Sequence, residues 1–233
     1  MKIVVINGQN HKGSTYHIGK LLTESISGEH EVQEFFLPRD LNHFCLGCYT
    51  CIEDGTKCPF YEEKNKIMQA VEAADLLIFT TPNYCMAPSA PMKAFMDLTF
   101  TYWISHKPHE CMYTKKAVVI STTAGAGAGA AVKPVKTMLS YWGVPVIKTY
   151  AIGVQAMNWQ GVNLKKKAKI EKDMRRLAGS LTPLHKPKVL LSHRFMFNMM
   201  RLMFKGHMGS GETERKYWED HGWLGKGRPW KKS

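Results

Sequence analysis

The chain has 233 residues, 44% hydrophobic and 22% charged, an ordinary balance for a soluble globular protein of one domain plus an extension. It holds no run of about 18 apolar residues to span a bilayer. Its start, MKIVVINGQNHKGS, breaks too early for a signal peptide, and six cysteines are too sparse for a secreted disulfide framework, so a cytoplasmic protein is expected. The net charge of +13 is unevenly placed: from Val162 onward 18 Lys+Arg face 6 Asp+Glu, while the first 161 residues are nearly neutral. Such a basic tail suits a solvated surface, an anionic membrane, a nucleic acid or an acidic partner.

In chain order, KIVVI (2–6) is a β-branched run suited to a strand buried on both faces. A turn-rich segment follows, then a helix from near Ser14 with Ile18, Leu21, Leu22 and Ile26 apolar, closed by Gly28. EVQEFFL (31–37) reads as a second strand, and a cysteine-rich loop leads to an amphipathic helix at 62–74. The unit then recurs as strand 75–81, helix 91–103, strand 115–121, helix 132–143, strand 144–152 and helix 164–181. Strands alternating with helices predict a three-layer, doubly wound α/β fold with a five-stranded parallel sheet. Periodicity does not separate the flavodoxin-like strand order from the Rossmann one. Beyond residue 181 the texture changes to a basic, Met- and Trp-rich helical extension, so the expected organisation is a domain at 1–181 and an extension at 182–233.

In an open α/β sheet, ligands sit beyond the carboxyl ends of the strands. Three loops there stand out. GQNHKGST (8–15) offers tight glycine turns, hydroxyls at Ser14 and Thr15, helix-start amides, and His11 and Lys12 nearby. It matches neither the Walker nor the G-x-G-x-x-G spacing, so one phosphate fits better than two. TPNYCMAPS (81–89) presents Pro82, Tyr84 and Met86, suited to a ring system. TTAGAGAG (122–129) exposes backbone amides that suit the polar edge of a heterocycle. Together the loops point to a phosphate carrying a ring.

On NGQNHKGST, FCLGCYTCIEDGTKC, ADLLIFTTPNYCMAPSAPMKAFMD and STTAGAGAG, the chain resembles the NADPH-dependent FMN reductase family of the flavodoxin-like superfamily, from Met1 to about Leu181. That resemblance implies FMN phosphate on Gln9, His11, Ser14 and Thr15. It lays the isoalloxazine along Pro82, Asn83, Tyr84, Cys85 and Met86, and caps its pyrimidine edge with Thr122, Thr123, Ala124 and Gly125. It also implies NAD(P)H as co-substrate, a small-molecule acceptor (free flavin, quinone or nitro compound) and a homodimer completing the site. No acid–base side chain is required, and no catalytic residue is assigned. The sequence departs from the family pattern at Gln9 and His11, where relatives often carry Ser and Arg, and at Leu98, where Arg often follows the aspartate.

Cys45, Cys48, Cys51 and Cys58 follow the spacing C-x2-C-x2-C-x6-C. This resembles the iron-sulfur flavoproteins, in which a compact cysteine run carries a [4Fe-4S] cluster. Four thiolates also suit zinc. The third reading, small or flavin-adjacent thiols with no metal, is preferred here. With a cluster, the alternative function is electron transfer with ferredoxin, and the basic tail would meet an acidic electron carrier. A non-enzymatic membrane or nucleic-acid adaptor is the third alternative, although no nucleic-acid partner is expected. In the tail, Leu191, Phe195, Met199, Leu202 and Met203 mark a helical face, widened by Phe197 and Met200. It must dock on its own subunit, on a partner subunit or on a membrane surface; docking within a dimer is expected, with Trp218, Trp223 and Trp230 roofing a flavin site or bracing the dimer.

Overall fold

The computed structural model describes residues 1–181, 187–208 and 211–231. Most of the linker expected at 181–188 therefore lies outside the described residues. The strands are β1 (Lys2–Asn7), β2 (Glu31–Phe36), β3 (Leu76–Tyr84), β4 (Ala87–Pro88), β5 (Lys116–Thr123) and β6 (Val146–Gly153). The helices are α1 (Ser14–Glu24), α2 (Thr50–Glu53), α3 (Tyr61–Ala73), α4 (Ala90–Leu98), α5 (Ala128–Tyr141), α6 (Leu164–Gly179), α7 (Leu191–Lys205) and α8 (Glu212–Asp220).

The five long strands run parallel in the order β2-β1-β3-β5-β6, which is the flavodoxin-like order and not the Rossmann one. β4 is a two-residue strand folded back antiparallel on β3. Alternation along the central strands divides the core between the two faces of the sheet. Val4, Ile6, Leu77, Phe79, Ala117 and Val119 pack with α3, α4 and α5 side chains such as Ile67, Phe95 and Leu139. Ile3, Val5, Leu76, Ile78, Val118 and Ile120 pack with Ile18 and Leu22 of α1 and Ile170 and Met174 of α6. Both faces are covered, which is why these strands read as unbroken apolar runs.

The start of β5 departs from its sequence pattern. Lys115 and Lys116 are both buried, at 3% and 9% exposure, and their ammonium groups close two helices. Lys115 Nζ donates to the carbonyls of Glu72 (2.7 Å) and Ala74 (2.6 Å) at the end of α3. Lys116 Nζ donates to the carbonyl of Leu181, just past α6, at 2.7 Å. Neighbouring residues of a strand point to opposite faces, so the pair serves one helix of each layer.

The extension folds back on its own chain. Phe197, Met200 and Phe204 of α7 join Trp218, Trp223, Ile104 and Tyr113 in a third apolar cluster. Phe197 stacks on Trp218 with ring centres 4.7 Å apart. Trp218 Nε1 donates to the carbonyl of His106 at 2.9 Å, and the Tyr217 hydroxyl to that of Pro108 at 2.8 Å. His106 Nδ1 lies 3.1 Å from Glu214 Oε1. The face seated on this chain centres on Phe197, Met200 and Phe204, while Leu191, Phe195, Met199 and Leu202 point outward. One expectation is corrected: Trp218 and Trp223 are buried in this chain's own extension, where their rings cover a large apolar area, and neither roof a flavin site nor brace a dimer.

Candidate functional site: a three-loop cavity and a four-cysteine cavity

A cavity of about 290 Å³ opens at the carboxyl ends of the parallel strands. Its wall includes Gln9, His11, Ser14 and Thr15 from the first loop, Pro82, Asn83 and Tyr84 from the second, and Thr122, Thr123 and Ala124 from the third. The strand order brings them together: β1, β3 and β5 are adjacent and parallel, so their loops leave the same edge side by side.

The first loop is pinned to the second. Gly8 N donates to the Thr80 carbonyl at 2.7 Å, and Ser89 Oγ donates to the Gly8 carbonyl at 2.6 Å. A Cβ at Gly8 would lie 2.8 Å from Ser89 Oγ and 3.0 Å from the Thr80 oxygen, so only glycine permits this approach. Helix α1 then begins at Gly13 with no side-chain cap and no acidic residue in its first turn. Its leading amides have no intrahelical partner and carry the positive end of the helix dipole. Ser14 and Thr15 are buried beside them. Thr15 Oγ1 is 2.7 Å from Thr122 Oγ1, which ties the first loop to the third. The Lys12 ammonium lies over the Tyr16 ring, 5.4 Å from its centre.

The second loop is a tight hairpin from β3 into β4, with Cys85 (φ 50°) and Met86 (φ 60°) both in the left-handed region. Two such residues make the turn that matches strand twist, and neither is glycine, so each carries about 1–2 kcal/mol of strain. This turn carries Cys85 and Met86 away from the cavity wall, and Gly125 is not part of it either. Met86 instead packs on the third loop: its sulfur lies 2.5 Å from where a Cβ on Gly127 would stand. Asn83 Nδ2 donates to the Ala126 carbonyl at 3.5 Å, a second link between these loops.

The structure adds residues that the loop patterns did not single out: Asn7, Tyr16 and Thr80, and Val154, Ala156 and Met157 after β6. The signal for the last group was available, since a fifth parallel strand must end at the same edge. Two buried polar atoms in the wall, Asn7 Nδ2 and Asn83 Oδ1, have no hydrogen-bond partner among the described residues. Buried groups of this kind are normally satisfied, so the cavity is built for a polar ligand. An acid-free helix start, buried hydroxyls, orphaned amide atoms and an aromatic rim at Tyr84 fit a phosphate joined to a polar ring.

The four clustered cysteines line a second cavity, of about 340 Å³, with Leu46, Tyr49, Phe60, Asp97, Leu98 and Phe100 among its other walls. All four are free thiols; Cys45 and Cys48 are exposed, Cys58 is half-buried and Cys51 is buried. Hydrogen bonds from the Thr50 hydroxyl and amide hold the Cys48 thiol below its ordinary pKa, whereas burial pushes that of Cys51 up. Among the described residues no three His, Cys, Asp or Glu side chains close on one metal position. Zinc needs four sulfurs about 2.3 Å from one point. A four-iron cubane spreads its corners, so four thiols around one cavity suit it better in number and kind.

Residues 1–158 match the family model described as NADPH-dependent FMN reductase. The chain is 28% identical over 156 residues to an iron-sulfur flavoprotein of Archaeoglobus fulgidus, covering 66% of this chain and 68% of that one. It is 32% identical over 100 residues to an iron-sulfur flavoprotein of Methanocaldococcus jannaschii, covering 42% of this chain and about half (51%) of that one. Among solved structures, an FMN-dependent NADH-azoreductase from Bacillus anthracis in complex with FMN superposes with TM-score 0.57 at 16% identity, over 76% of this chain and 100% of that one. FerB, a flavoenzyme NAD(P)H:(acceptor) oxidoreductase from Paracoccus denitrificans, gives 0.53 at 17% identity, over 76% and 95%. At these identities the structural likeness establishes the fold. No helix among the described residues is long and apolar enough to cross a membrane.

Proposed function

The chain belongs to the NADPH-dependent FMN reductase family, and from that premise we propose that the three-loop cavity holds FMN and serves an NAD(P)H-dependent oxidoreductase with a small-molecule acceptor such as a flavin, quinone or nitro compound. The carrying observation is the convergence of Ser14, Thr15, Asn83, Tyr84 and Thr122 on one cavity at the uncapped start of α1. Bound FMN would supply the hydride-accepting ring. The protein's part is binding and orientation. Ser14, Thr15 and the α1 amides would hold the phosphate, with His11 at the cavity wall. Asn7 Nδ2 and Asn83 Oδ1 would find their missing partners on the ligand. Tyr84 would lie along the ring, and the amides of Thr123 and Ala124 would face its polar edge, where they favour negative charge. The exposed apolar rim, Tyr84 with Met157 at 93% exposure, suits closure by a second subunit.

Titrating the flavin-free protein with FMN and with riboflavin tests this reading. A phosphate clasp of two or more charge-assisted hydrogen bonds predicts at least about a hundredfold preference for FMN. Equal affinities would defeat it, as would failure to oxidise NADH or NADPH when FMN is supplied.

The four-cysteine cavity favours a second, compatible reading: Cys45, Cys48, Cys51 and Cys58 hold a [4Fe-4S] cluster, and electrons leave singly to a carrier. It rests on four free thiols sharing one cavity and on the two iron-sulfur flavoprotein relatives. Iron and acid-labile sulfide in anaerobically purified protein decide it; metal-free protein with full flavin turnover would leave the cysteines as plain thiols.

A further inference from the structure

Helix α7 has two apolar faces, and the fold uses one. His193, Phe197, Met200 and Phe204 are buried. On the opposite side Leu191, Phe195, Met199 and Leu202 recur at three or four residues, which aligns them along one stripe. That stripe is open: Leu191 is 80% exposed, Phe195 73% and Leu202 62%. Leu190 and Met208, just beyond the two ends of the helix, are exposed as well. The helix contains no acidic residue. Arg194, Arg201 and Lys205 occupy one flank between the two faces by the same helical spacing, and Lys188 precedes the stripe.

A contiguous exposed aliphatic and aromatic stripe marks a surface that something covers. A second copy, paired isologously, would set the cationic flank beside its own image if antiparallel and would leave those cations unneutralised if parallel. A nucleic acid would neutralise the cations but leave Leu191, Phe195 and Leu202 with nothing to bury into. A bilayer with anionic headgroups answers both halves, since its acyl boundary takes the apolar side chains and its phosphates take the arginines and lysines. We propose that α7 is an interfacial helix that seats this chain on an anionic lipid surface, with Leu191, Phe195 and Leu202 entering the bilayer. The cytoplasm-only expectation then becomes a peripheral association, and it stands independently of what fills the two cavities.

The test is co-sedimentation of the full-length protein with phosphatidylcholine vesicles, with and without phosphatidylglycerol. Two variants accompany it: Phe195→Ser with Leu202→Ser, and Arg194→Gln with Lys205→Gln. All four positions are exposed, so both variants should keep wild-type circular dichroism and flavin turnover. The wild-type protein should partition onto the anionic vesicles and leave the neutral ones in solution, more weakly as salt rises. The apolar pair should lower the partition by at least roughly a hundredfold. The charge pair should lower it by about fivefold per residue. No binding to anionic vesicles overturns the proposal. Binding that survives the apolar pair overturns it too, because plain charge adsorption would then suffice. A wild-type dimer that becomes monomeric in the apolar pair identifies the occupant as a second copy and likewise overturns it.

Discussion

Removing the Ser14 and Thr15 hydroxyls together puts the phosphate end of the three-loop cavity under direct test. Each hydroxyl that donates to a charged oxygen contributes about 1.5–3 kcal/mol, so Ser14→Ala should weaken FMN binding by about 10- to 150-fold. Thr15 Oγ1 already meets Thr122 Oγ1 at 2.7 Å, and a hydroxyl has one proton to give. For Thr15 to reach a phosphate, Thr122 must be the donor of that pair. Thr15→Ala then costs the phosphate bond and also frees the Thr122 hydroxyl to turn. Because the two side chains are adjacent in sequence and share one ligand group, their effects should not simply add. The double variant should lose about 3–5 kcal/mol, a factor of roughly 100 to 5000. The α1 amides remain, so binding is weakened rather than abolished. Quenching of flavin fluorescence measures it, with riboflavin as the control that lacks the phosphate. Riboflavin affinity should be unchanged in all three variants. An FMN affinity within threefold of wild type in the double variant would refute the clasp, as would an equal fall for riboflavin.

Further outcomes follow from the core and the cysteines. Lys115→Met leaves the Glu72 and Ala74 carbonyls without their donor, and urea unfolding should show a loss of about 2–4 kcal/mol at unchanged slope. Burial holds the Lys115 pKa below its ordinary value, so the unfolded chain binds the extra proton in the window between the folded and unfolded values. Wild-type stability should therefore rise with pH across that window, and the variant should lack this contribution; identical pH profiles would remove Lys115 as its source. Trp218→Ala should cost the extension about 3–5 kcal/mol and release residues 187–231 to protease before the sheet is cut; simultaneous digestion of both would show that they unfold as one unit. In metal-free protein an alkylating reagent should modify Cys48 first and Cys51 last, because Cys48 is exposed with a lowered thiol pKa and Cys51 is buried with a raised one; mass spectrometry after brief exposure reads the order, and early labelling of Cys51 would contradict it.

The central strands were legible because burial on both faces fills them with apolar runs, as Ile3 to Ile6 illustrates. Their order was not, since hydrophobic periodicity carries no information on which strand neighbours which. The three loops could be read from glycines and hydroxyls. The loop after β6 lacked such residues, and Val154, Ala156 and Met157 were passed over. Helix α8 was given no bounds within the expected helical extension; Glu212 and Glu214 in its first turn are a start signal, and buried Trp218 is its core-facing side chain. Helix α7 was legible, but a helix that is apolar on two sides does not state which side packs on its own chain, and here the Phe197 side does. Lys115 and Lys116 fell inside the expected strand at 115–121, and nothing in its sequence announces that two helices end beside it.

Phe100 belongs to two structures at once. It lines the four-cysteine cavity, and its ring meets His106 edge-on, with centres 5.1 Å apart. His106 in turn faces Glu214 and accepts the Trp218 indole proton on its carbonyl. Tyr49, another wall of that cavity, packs edge-on against Phe100 at 6.2 Å. Filling the cavity and seating the C-terminal helices therefore draw on the same few rings. By reciprocity, whatever factor an occupant contributes to the extension's docking, the extension returns to the occupant's affinity. A chain cut before α7 would then be an altered cysteine protein as well as a tailless one, and the protease resistance of the tail would report on what the thiols hold.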